Sequence, residues 1–568
     1  MTFIGPRTLA KLQSYSKINF MDLKSFTKHL IDVSTPQMLK DWIKAMGNKI
    51  EEQEQSLQLK DKRIELLEAE NRKLRGLPAK PMFSDKTTEL EGKKDNSDKE
   101  KKPNPGKGIP RRKKHDLAID LTKQCEVDPD DLDSTFEYKG TRKVIVQDIL
   151  FQRNNICFEL EKYYSSELNK TVEADLPPGY EGGYFGPNVI AFILCSYYEG
   201  DVTIKKIWKI LDAIGIKISL KQINRIIKHQ PDELVDELDQ ARIAGIEKAG
   251  YQQIDDTGAK IGIIPINAFS IVVCNPFFTN IVTGFSKSRF AAVMALAGGN
   301  RAPLYKLNDH AIFVFFQSQG SVKVQLTLER YSGEKVYTEG DLDKLFAEDS
   351  FVKLSVHILR EIRTAMLVGA YYDGHLGITG KALVSDDAGQ FNNIFDTHVL
   401  CWYHEFRHYK EICPVLENHQ VLLREFFDEA KQLYKKLKEW ILGERRPEAK
   451  DFILKWFNDF FTKDTGFNLL DERKRLSFSK IDKLLAPLFL DFIIPLHNNE
   501  SERDIRGRAI KKKISLFNRT FDGARGWDLY ISLKQTCRKL SVSFHQFLMD
   551  RITGAAQVPQ LCKIIQAI

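Results

Sequence analysis

Apolar residues recur every seven positions near the N terminus, between Ile43 and Leu74. The two seam positions, three residues apart, hold Ile43, Ile50, Leu57, Ile64 and Asn71, and then Met46, Gln53, Lys60, Leu67 and Leu74. This spacing predicts a coiled coil in which Asn71 fixes a two-stranded register, and Pro36 is a suitable helix start. We therefore expect residues 1–76 to form N-terminal helices and a dimerising coiled coil. A lone amphipathic helix docked on its own domain is the alternative.

The stretch 77–116 has almost no large apolar residues and is rich in Lys, Pro, Gly, Asp and Glu. Such a composition buries too little apolar surface to offset the entropy of ordering, so we expect a disordered basic linker. It ends in a run of cations that suits contacts with DNA phosphates, namely Arg111, Arg112, Lys113 and Lys114. A solvated basic run without a ligand is the alternative.

Residues 117–180 alternate short β-prone runs with polar breaks. The runs are Lys143–Val146, Ile156–Leu160 and Thr171–Ala174. Runs of this length bounded by polar residues are typical of strands, so the pattern predicts a small β-rich module.

The apolar period becomes helical over residues 181–246. Three short helices are expected, at Pro187–Tyr198, Thr203–Ile214 and Ser219–Lys228. Ser219 suits the N-cap of the last helix, and a Gly-containing turn precedes it. This pattern favours a helix-turn-helix-like DNA-binding domain, whose groove-facing residues would be Lys221, Asn224, Arg225 and Lys228. An ordinary helical bundle is the alternative.

Residues 247–402 return to a strand-like pattern. Three strands and a helix are expected, at Gln252–Ile261, Ala268–Cys274, Thr279–Thr283 and Ser288–Ala297. Further strands are expected at Ala382–Ser385 and His398–Trp402, after an insertion at 300–379 whose apolar pattern permits no assignment. Three strands, the first carrying an acid, then a helix and a later acidic strand match the ribonuclease-H-like fold.

The rest of the chain is helical in pattern. A helical insertion is expected at 403–488, a second part of the catalytic domain at 489–540, and a C-terminal helical tail at 541–568. Two closing helices are expected at Trp527–Leu540 and Ser543–Ile552. The predicted fold class is therefore multidomain α/β: a ribonuclease-H-like catalytic domain with a helical insertion, plus an N-terminal coiled coil and a helical DNA-binding domain.

Composition narrows the class of protein. The 568 residues carry 85 Lys and Arg against 77 Asp and Glu, so the net charge of +8 is modest and its placement matters more than its total. The 8 cysteines form no CxxC pair, and no apolar run of about eighteen residues occurs. We expect a reduced, soluble, intracellular protein without disulfides or membrane spans.

Three acidic positions carry the candidate chemistry. Asp255 and Asp386 each open an aspartate pair at the end of an apolar run, and Glu502 lies in the segment His497–Lys513. That segment also holds six cations, Arg503, Arg506, Arg508, Lys511, Lys512 and Lys513. Carboxylates that hold a divalent metal beside a phosphodiester need such cations to bind the polyanion. A solvated charged helix and aspartate turn chemistry are the alternatives.

Two glutamates compete for the third position, because Glu500 and Glu502 point roughly 200° apart on one helix. Glu502 shares its side with Ile505 and Ala509, the apolar positions that a helix would lay on the sheet. Glu500 shares its side with Asp504 and Gly507, which suggests the solvent face. We therefore expect Glu502 to face the acidic strands.

The order of these motifs resembles the insertion-sequence sixty-six family of bacterial DDE transposases, from about residue 40 to 550. The shared pieces are Gly186-Pro187, Ile254-Asp255-Asp256-Thr257, Ser385-Asp386-Asp387-Ala388-Gly389, Cys401-Trp402-x-His404-x-x-Arg407 and Asn498-Asn499-x-x-Glu502-Arg503-x-Ile505-Arg506. Two features depart from the family. Cys125 and Cys157 stand singly where a zinc-binding element often occurs, so no zinc is expected there, and His497 replaces a frequent aspartate.

The resemblance implies a transposase that cleaves DNA at transposon ends and transfers strands into target DNA. Asp255, Asp386 and Glu502 would be catalytic ligands of two Mg²⁺ or Mn²⁺ ions, since hard oxygen donors select such cations. Its implied partners are double-stranded DNA, further copies of this chain in a homodimer or higher homo-oligomer, and small accessory proteins of the same element. A bacterial cytoplasmic location, on the nucleoid when DNA is bound, is implied as well.

Two other functions stay open at the level of sequence. A ribonuclease-H-fold nuclease would cut DNA without joining strands, and a catalytically silent dimer would only bind DNA. Cys401 and His404 make half of a metal site, and a packed cysteine beside a satisfied histidine is the favoured interpretation.

The heptad pattern predicts that replacing Leu57 and Ile64 by Asp dissociates the protein, because each charge would lie in the seam between two helices. Sedimentation in the analytical ultracentrifuge should then give a monomer mass for the double variant and at least a dimer for the wild type. An unchanged mass would contradict the coiled coil.

Overall fold

The computed structural model describes residues 119–124, 127, 143–146, 149–182, 184–262, 266–299, 301–319, 321–414 and 416–568. The expected coiled coil, the basic linker and the cations Arg111, Arg112, Lys113 and Lys114 lie outside these residues. Within the described part, no helix is long and apolar enough to cross a membrane.

Within the described residues, the first regular element is a short antiparallel hairpin, formed by β1 (Lys162–Ser165) and β2 (Lys170–Glu173). Only the last of the three strands expected between 117 and 180 overlaps it. Lys143–Val146 and Ile156–Leu160 carry no regular secondary structure, and Val144 is 64% exposed. The prediction of strands there was wrong, because neither run pairs with another strand among the described residues and local β propensity alone is not enough.

A helical domain follows, with α1 (Pro187–Tyr198), α2 (Ile204–Ala213), α3 (Leu220–Lys228) and α4 (Asp232–Ala249). Ser219 caps α3 by accepting a hydrogen bond from the backbone N–H of Gln222 at 3.1 Å. Ile207, Ile223 and Ile227 are buried between the helices. The first three helices thus lie within a residue or so of their predicted bounds.

The central sheet begins with β3 (Tyr251–Ile261), β4 (Ile266–Cys274) and β5 (Thr279–Gly284), followed by helix α5 (Arg289–Leu296). The insertion that the sequence left unassigned is mainly helical. It contains β6 (Tyr305–Lys306), α6 (Asp309–Gln319), α7 (Val322–Tyr331), β7 (Val336–Tyr337), α8 (Glu339–Phe346), α9 (Asp349–Val352) and α10 (Val356–Tyr372).

The chain then returns to the sheet with β8 (Ala382–Ser385) and β9 (His398–Leu400). Helices fill the remainder, namely α11 (Trp402–Lys410), α12 (Glu417–Leu442), α13 (Pro447–Thr462), α14 (Asn468–Phe478), α15 (Ile481–Leu484), α16 (Asn499–Ser515), α17 (Phe521–Lys539), α18 (Phe544–Thr553) and α19 (Leu561–Ala567). The segment 403–488 is thus helical, as expected, and leaves the sheet uninterrupted.

The five-stranded sheet has the order β5-β4-β3-β8-β9. Its first three strands pair antiparallel, whereas β8 and β9 run parallel to β3. This mixed sheet, with helices on both faces, confirms the α/β class. Parallel pairing between β3 and β8 requires a long crossover, which the chain makes through α5 and the helical insertion.

Alternation along the strands divides the core between the two faces of the sheet. Ile254 and Leu383 belong to a core shared with α5 and the insertion helices. Val272 and Ile281 point to the opposite face, where the helical domain, α16 and α17 pack. Helix α17 is central to this second face, because it contacts β5 on one side and α3 on the other.

Gly526 marks the closest approach between α17 and α3. A Cβ built on Gly526 would lie 3.0 Å from the carbonyl oxygen of Ile227 and 3.3 Å from the Cα of Lys228. The Tyr198 hydroxyl also donates to that Ile227 carbonyl, at 2.6 Å. The absence of a side chain at Gly526 therefore lets the last turn of α3 pack directly on α17.

We expect Gly526→Ala to destabilise the protein by about 1–3 kcal/mol, because the added methyl would push α3 away from α17. Urea unfolding followed by circular dichroism should show the lower midpoint. Gly507→Ala is the matched control: its Cβ would meet Trp527 at an ordinary 3.8 Å. Helix propensity should make that change neutral or stabilising, and equal losses in both variants would contradict the packing argument.

Candidate active site

Asp255 lies on β3, and Asp386 directly follows the neighbouring strand β8. The parallel register pairs Gln253 of β3 with Val384 of β8. Asp255 lies two residues after Gln253, and Asp386 lies two residues after Val384. Continuing the register therefore sets Asp255 beside Asp386, with both side chains on the face of the sheet covered by α16. The crossover through 300 to 379 separates the two residues in sequence but not in space.

Glu502 approaches this pair from α16, which packs on β3 and β4. Its side chain is 25% exposed, and its Oε1 lies 3.5 Å from Nε2 of His404. That separation is longer than a normal hydrogen bond. Burial lowers the pKa of His404, although Glu502 and Asp386 act in the opposite direction. A neutral His404 supplies no charge to balance the carboxylate of Glu502.

The three carboxylates act on one another electrostatically. Burial raises the pKa of Asp255 to about 7, and the charges of Asp386 and Glu502 add to the rise. The backbone N–H of Asp256 donates to Asp255 Oδ1 at 2.8 Å, and this hydrogen bond lowers the pKa of Asp255 in opposition to burial. Asp255 is therefore a carboxylate whose ionisation is costly in this structure, which is typical of functional sites.

The second aspartate of each pair is neutralised by a cation. Asp256 lies on the opposite face of β3, where Lys287 contacts it at 2.8 Å and the amide of Gln390 donates to it at 2.6 Å. Asp387 contacts Lys480 at 2.5 Å. The chain thus compensates Asp256 and Asp387 with its own side chains, whereas Asp255 has no such partner among the described residues.

A buried polar pair supports the end of β8 beside Asp386. Ser385 Oγ lies 2.7 Å from Nε2 of His398, and the same hydroxyl donates to the backbone oxygen of Asp386 at 2.6 Å. Burial lowers the pKa of His398 to about 3, so this imidazole stays neutral. The backbone N–H of Ala388 donates to Asp386 Oδ1 at 3.2 Å. These contacts fix the turn from which the carboxylate projects.

The donor set of the site is chemically suited to a hard divalent cation, since it consists of three carboxylates. Across the described ranges, no group of three or more His, Cys, Asp or Glu side chains is arranged to hold a metal ion as placed. Cys401 is buried at the N-cap of α11, and burial raises the pKa of its thiol to about 12. That favours a packed cysteine over a thiolate ligand.

Two of the six cations predicted to bind DNA on α16 are buried, and that part of the prediction was wrong. Arg508 donates to Ser270 at 2.8 Å and pairs with Asp528 at 3.1 Å. Lys511 contacts the hydroxyl and the ring of Tyr197, and burial lowers its pKa to about 8. Both cations bind α16 to neighbouring elements of the fold. The other four are exposed, namely Arg503, Arg506, Lys512 and Lys513.

The structure also corrects the argument that separated the two glutamates. Asp504, assigned to the solvent face, is buried and accepts hydrogen bonds from Thr279 at 2.6 Å and from Arg538 at 2.8 Å. Ala509, assigned to the sheet, is exposed. Glu500 is half-buried, and burial raises its pKa. The charge of Glu500 acts on Tyr251, whereas the charge of Glu502 acts on Asp255.

The predicted groove-facing residues of α3 share one outer side of that helix. Lys221, Asn224 and Arg225 are exposed, and Lys228 is half-buried against α17. A cavity of about 710 Å³ opens beside them. Its lining combines aromatic and basic side chains, with Tyr184, Phe185, Lys217, Arg225 and His229 among them.

Sequence reasoning missed three residues that bind the second aspartate of each pair. Lys287 and Gln390 contact Asp256, and Lys480 contacts Asp387. Local pattern gave no signal for Lys480, because it contacts Asp387 across most of the helical insertion. Lys287 follows β5 and reaches Asp256 only through the sheet order. His404 did carry a signal, its place in Cys401-Trp402-x-His404, but its proximity to Glu502 was not anticipated.

Comparison with known proteins gives two matches. The family described as "Transposase IS66 family" matches residues 352–526, a range that includes Asp386, His404 and Glu502. The uncharacterized protein y4jO of Sinorhizobium fredii is 31% identical over 314 residues, which are 54% of this chain and 94% of that protein. Asp255 lies before the range matched by the family.

The raised pKa of Asp255 predicts how stability depends on pH without metal. The folded protein holds a proton on Asp255 up to about pH 7, whereas the unfolded chain releases it near pH 4. Stability should therefore fall as pH rises between those values, by on the order of 2–4 kcal/mol at most. Asp255→Asn should remove this loss. Urea unfolding midpoints of the wild type and of Asp255→Asn, measured in EDTA from about pH 5 to pH 8, test this pH dependence.

Asp256→Asn serves as the control, because Lys287 already compensates that charge. Parallel stability curves for wild type and Asp255→Asn across the whole pH range would contradict the assignment.

Proposed function

This chain belongs to the IS66 transposase family, and we propose that it catalyses metal-dependent cleavage of DNA strands at the ends of its element and joins them to target DNA. The observation that supports this most directly is the meeting of Asp255, Asp386 and Glu502 on one face of the sheet. Burial, with a smaller contribution from the charges of Asp386 and Glu502, raises the pKa of Asp255 to about 7.

The strand order is also the one expected of a ribonuclease-H-like catalytic domain. Three antiparallel strands come first, then a helix, then two strands parallel to the first, with Asp255 on β3 and Asp386 directly after β8. A later helix brings the third carboxylate. We propose that this sheet with α16 is the catalytic domain and that α1 to α3 bind DNA.

Two Mg²⁺ or Mn²⁺ ions held by Asp255, Asp386 and Glu502 would stabilise the attacking and leaving oxygens of the phosphodiester. The chain's own side chains prepare this site. Asp256 and Asp387 are already paired with lysines, so their charges do not compete for the metal. The three remaining carboxylates carry the charge that a divalent cation would balance, since oxygen donors of this kind suit hard cations.

The exposed cations of α16 would hold the DNA backbone near the carboxylates. Arg503 and Arg506 lie one and four residues after Glu502, so a phosphate bound by them would be close to the site. Lys221, Asn224 and Arg225 on α3 suit contacts with a DNA groove. We propose that the N-terminal heptads dimerise the chain, so that two DNA ends are held together.

We expect Asp255→Asn, Asp386→Asn and Glu502→Gln each to reduce nicking of the element's ends by at least about a hundredfold, because each removes a charged metal ligand. Binding of the same ends should change little, since phosphate and groove contacts lie on other residues. The measurement is incubation of purified protein with labelled end DNA and Mg²⁺, together with a gel-shift assay in EDTA.

The matched controls are Asp256→Asn, Asp387→Asn and Glu500→Gln, which remove the neighbouring carboxyl charges and should retain most nicking. If a variant of Asp255, Asp386 or Glu502 nicks DNA at the wild-type rate, or if only the control variant of the neighbouring acid loses nicking, the wrong acid was assigned. Adding target DNA separates a transposase from a nuclease, because only a transposase forms joined products. A silent DNA-binding dimer would bind the ends without nicking them.

A further inference from the structure

We propose that Phe285 and Phe521 form an aromatic ledge that stacks the unpaired bases of single-stranded DNA leading into the carboxylate site. This inference rests on the proposed function, because it assigns the path of the strand that is cut. The ledge consists of these two side chains only, and neither belongs to the carboxylate site or to the groove-facing side of α3.

The ledge is an exposed aromatic pair on a rigid base. Phe285 follows the last residue of β5 and is 56% exposed. Its ring stacks on that of Phe521, with the centroids 5.6 Å apart and the planes at 22°. Phe521 opens α17 and packs against the buried cluster of Ile261, Ala268 and Ala524. One ring is thus anchored in the core while the other offers its face to solvent.

One cation contacts the ledge, and two others lie near it. The guanidinium of Arg525 lies 4.8 Å from the ring centroid of Phe521, and Arg525 is exposed. Lys287 is two residues beyond Phe285 and contacts Asp256 at 2.8 Å. The side chain of Lys228, at the end of α3, approaches Gly523 in the first turn of α17. Aromatic faces interleaved with cations suit the bases and phosphates of a single strand, and the acid in that turn, Asp522, is exposed to solvent.

The ledge lies between the two regions that contact DNA in the proposed function. In the sheet, Gly284 pairs with Phe269, which in turn pairs with Gly258, three residues beyond Asp255. Strand geometry makes the separation of Gly284 from Asp255 roughly 14 Å. The other ring of the ledge, Phe521, is the first residue of α17, and α17 packs against α3. A strand that leaves a duplex bound on α3 for the carboxylates would pass over Phe285.

Stacking on an exposed ring depends on the π face and not on base identity, so the ledge would bind single strands with little sequence preference. Duplex DNA hides its base faces and would gain nothing from Phe285. The contrast between single strand and duplex therefore separates the ledge from a general basic surface, since phosphates alone attract both.

The test measures binding of the full chain to a short 5′-labelled oligothymidine by fluorescence anisotropy in EDTA, with the same length of duplex alongside. Phe285→Ala should bind the single strand about tenfold more weakly and the duplex as the wild type does. Phe285→Trp should retain wild-type affinity, because it keeps a stacking face. A single strand carrying 2-aminopurine should be quenched on binding wild type or Phe285→Trp, and less on Phe285→Ala.

Phe452→Ala is the matched control, since Phe452 is 58% exposed and its ring lies 5.6 Å from that of Trp456. It should leave both affinities unchanged. Unaltered single-strand binding by Phe285→Ala, or an equal loss for duplex and single strand, would overturn the ledge. Binding in EDTA requires no cleavage, so this result is independent of the nicking assay that tests the carboxylates.

Discussion

The structure depends on how α16 is fixed to the sheet, because Glu502 reaches the acidic strands only if that helix lies in one position. Arg508 is buried over Trp527, 3.9 Å from the ring, and donates to Ser270 while pairing with Asp528. Asp504, one turn before Arg508, pairs with Arg538 and Lys539, so buried charges as well as the apolar side chain of Ile505 hold α16 on the sheet. Removing one partner of such a pair typically costs about 3–5 kcal/mol, since it leaves an unpaired buried charge.

Helix α17 connects the two proposed DNA-contacting regions. Its Asp528 accepts hydrogen bonds from the backbone N–H and the hydroxyl of Thr283 on β5, at 2.8 and 2.7 Å. Its Gly526 admits the end of α3 at backbone contact distance. The spacing between α3 and the carboxylates is therefore set by rigid packing and not by a linker. Because the helix is buried on both sides, several of its polar residues bind its neighbours: Ser532 accepts from the backbone N–H of Ile281, and Thr536 accepts from that of Thr279.

Much of the fold could be predicted because strands and helices follow from local periodicity. β3, β4, β5 and β8 lie within a few residues of their predicted bounds, and Ser219 caps its helix as expected. The β-rich module failed where Val144 and its neighbours found nothing to pack against. The insertion at 300–379 resisted assignment because its helices leave apolar side chains such as Phe313, Val322 and Leu326 exposed and so lack a clean amphipathic period.

The order of residues along the chain sets which residue types stand at strand ends and which helix carries the third acid, since these are local properties. Which charges remain uncompensated depends on contacts between distant parts of the chain. Arg506 and Arg508 are chemically identical in the sequence, yet Arg508 is buried because Ser270, 238 residues away, and Asp528 receive it. Asp255 and Asp256 are likewise adjacent, but strand alternation sends one to Lys287 and leaves the other facing two carboxylates. Whether a charge is compensated depends on residues that are close in space but distant in sequence, and the local sequence pattern does not identify these residues.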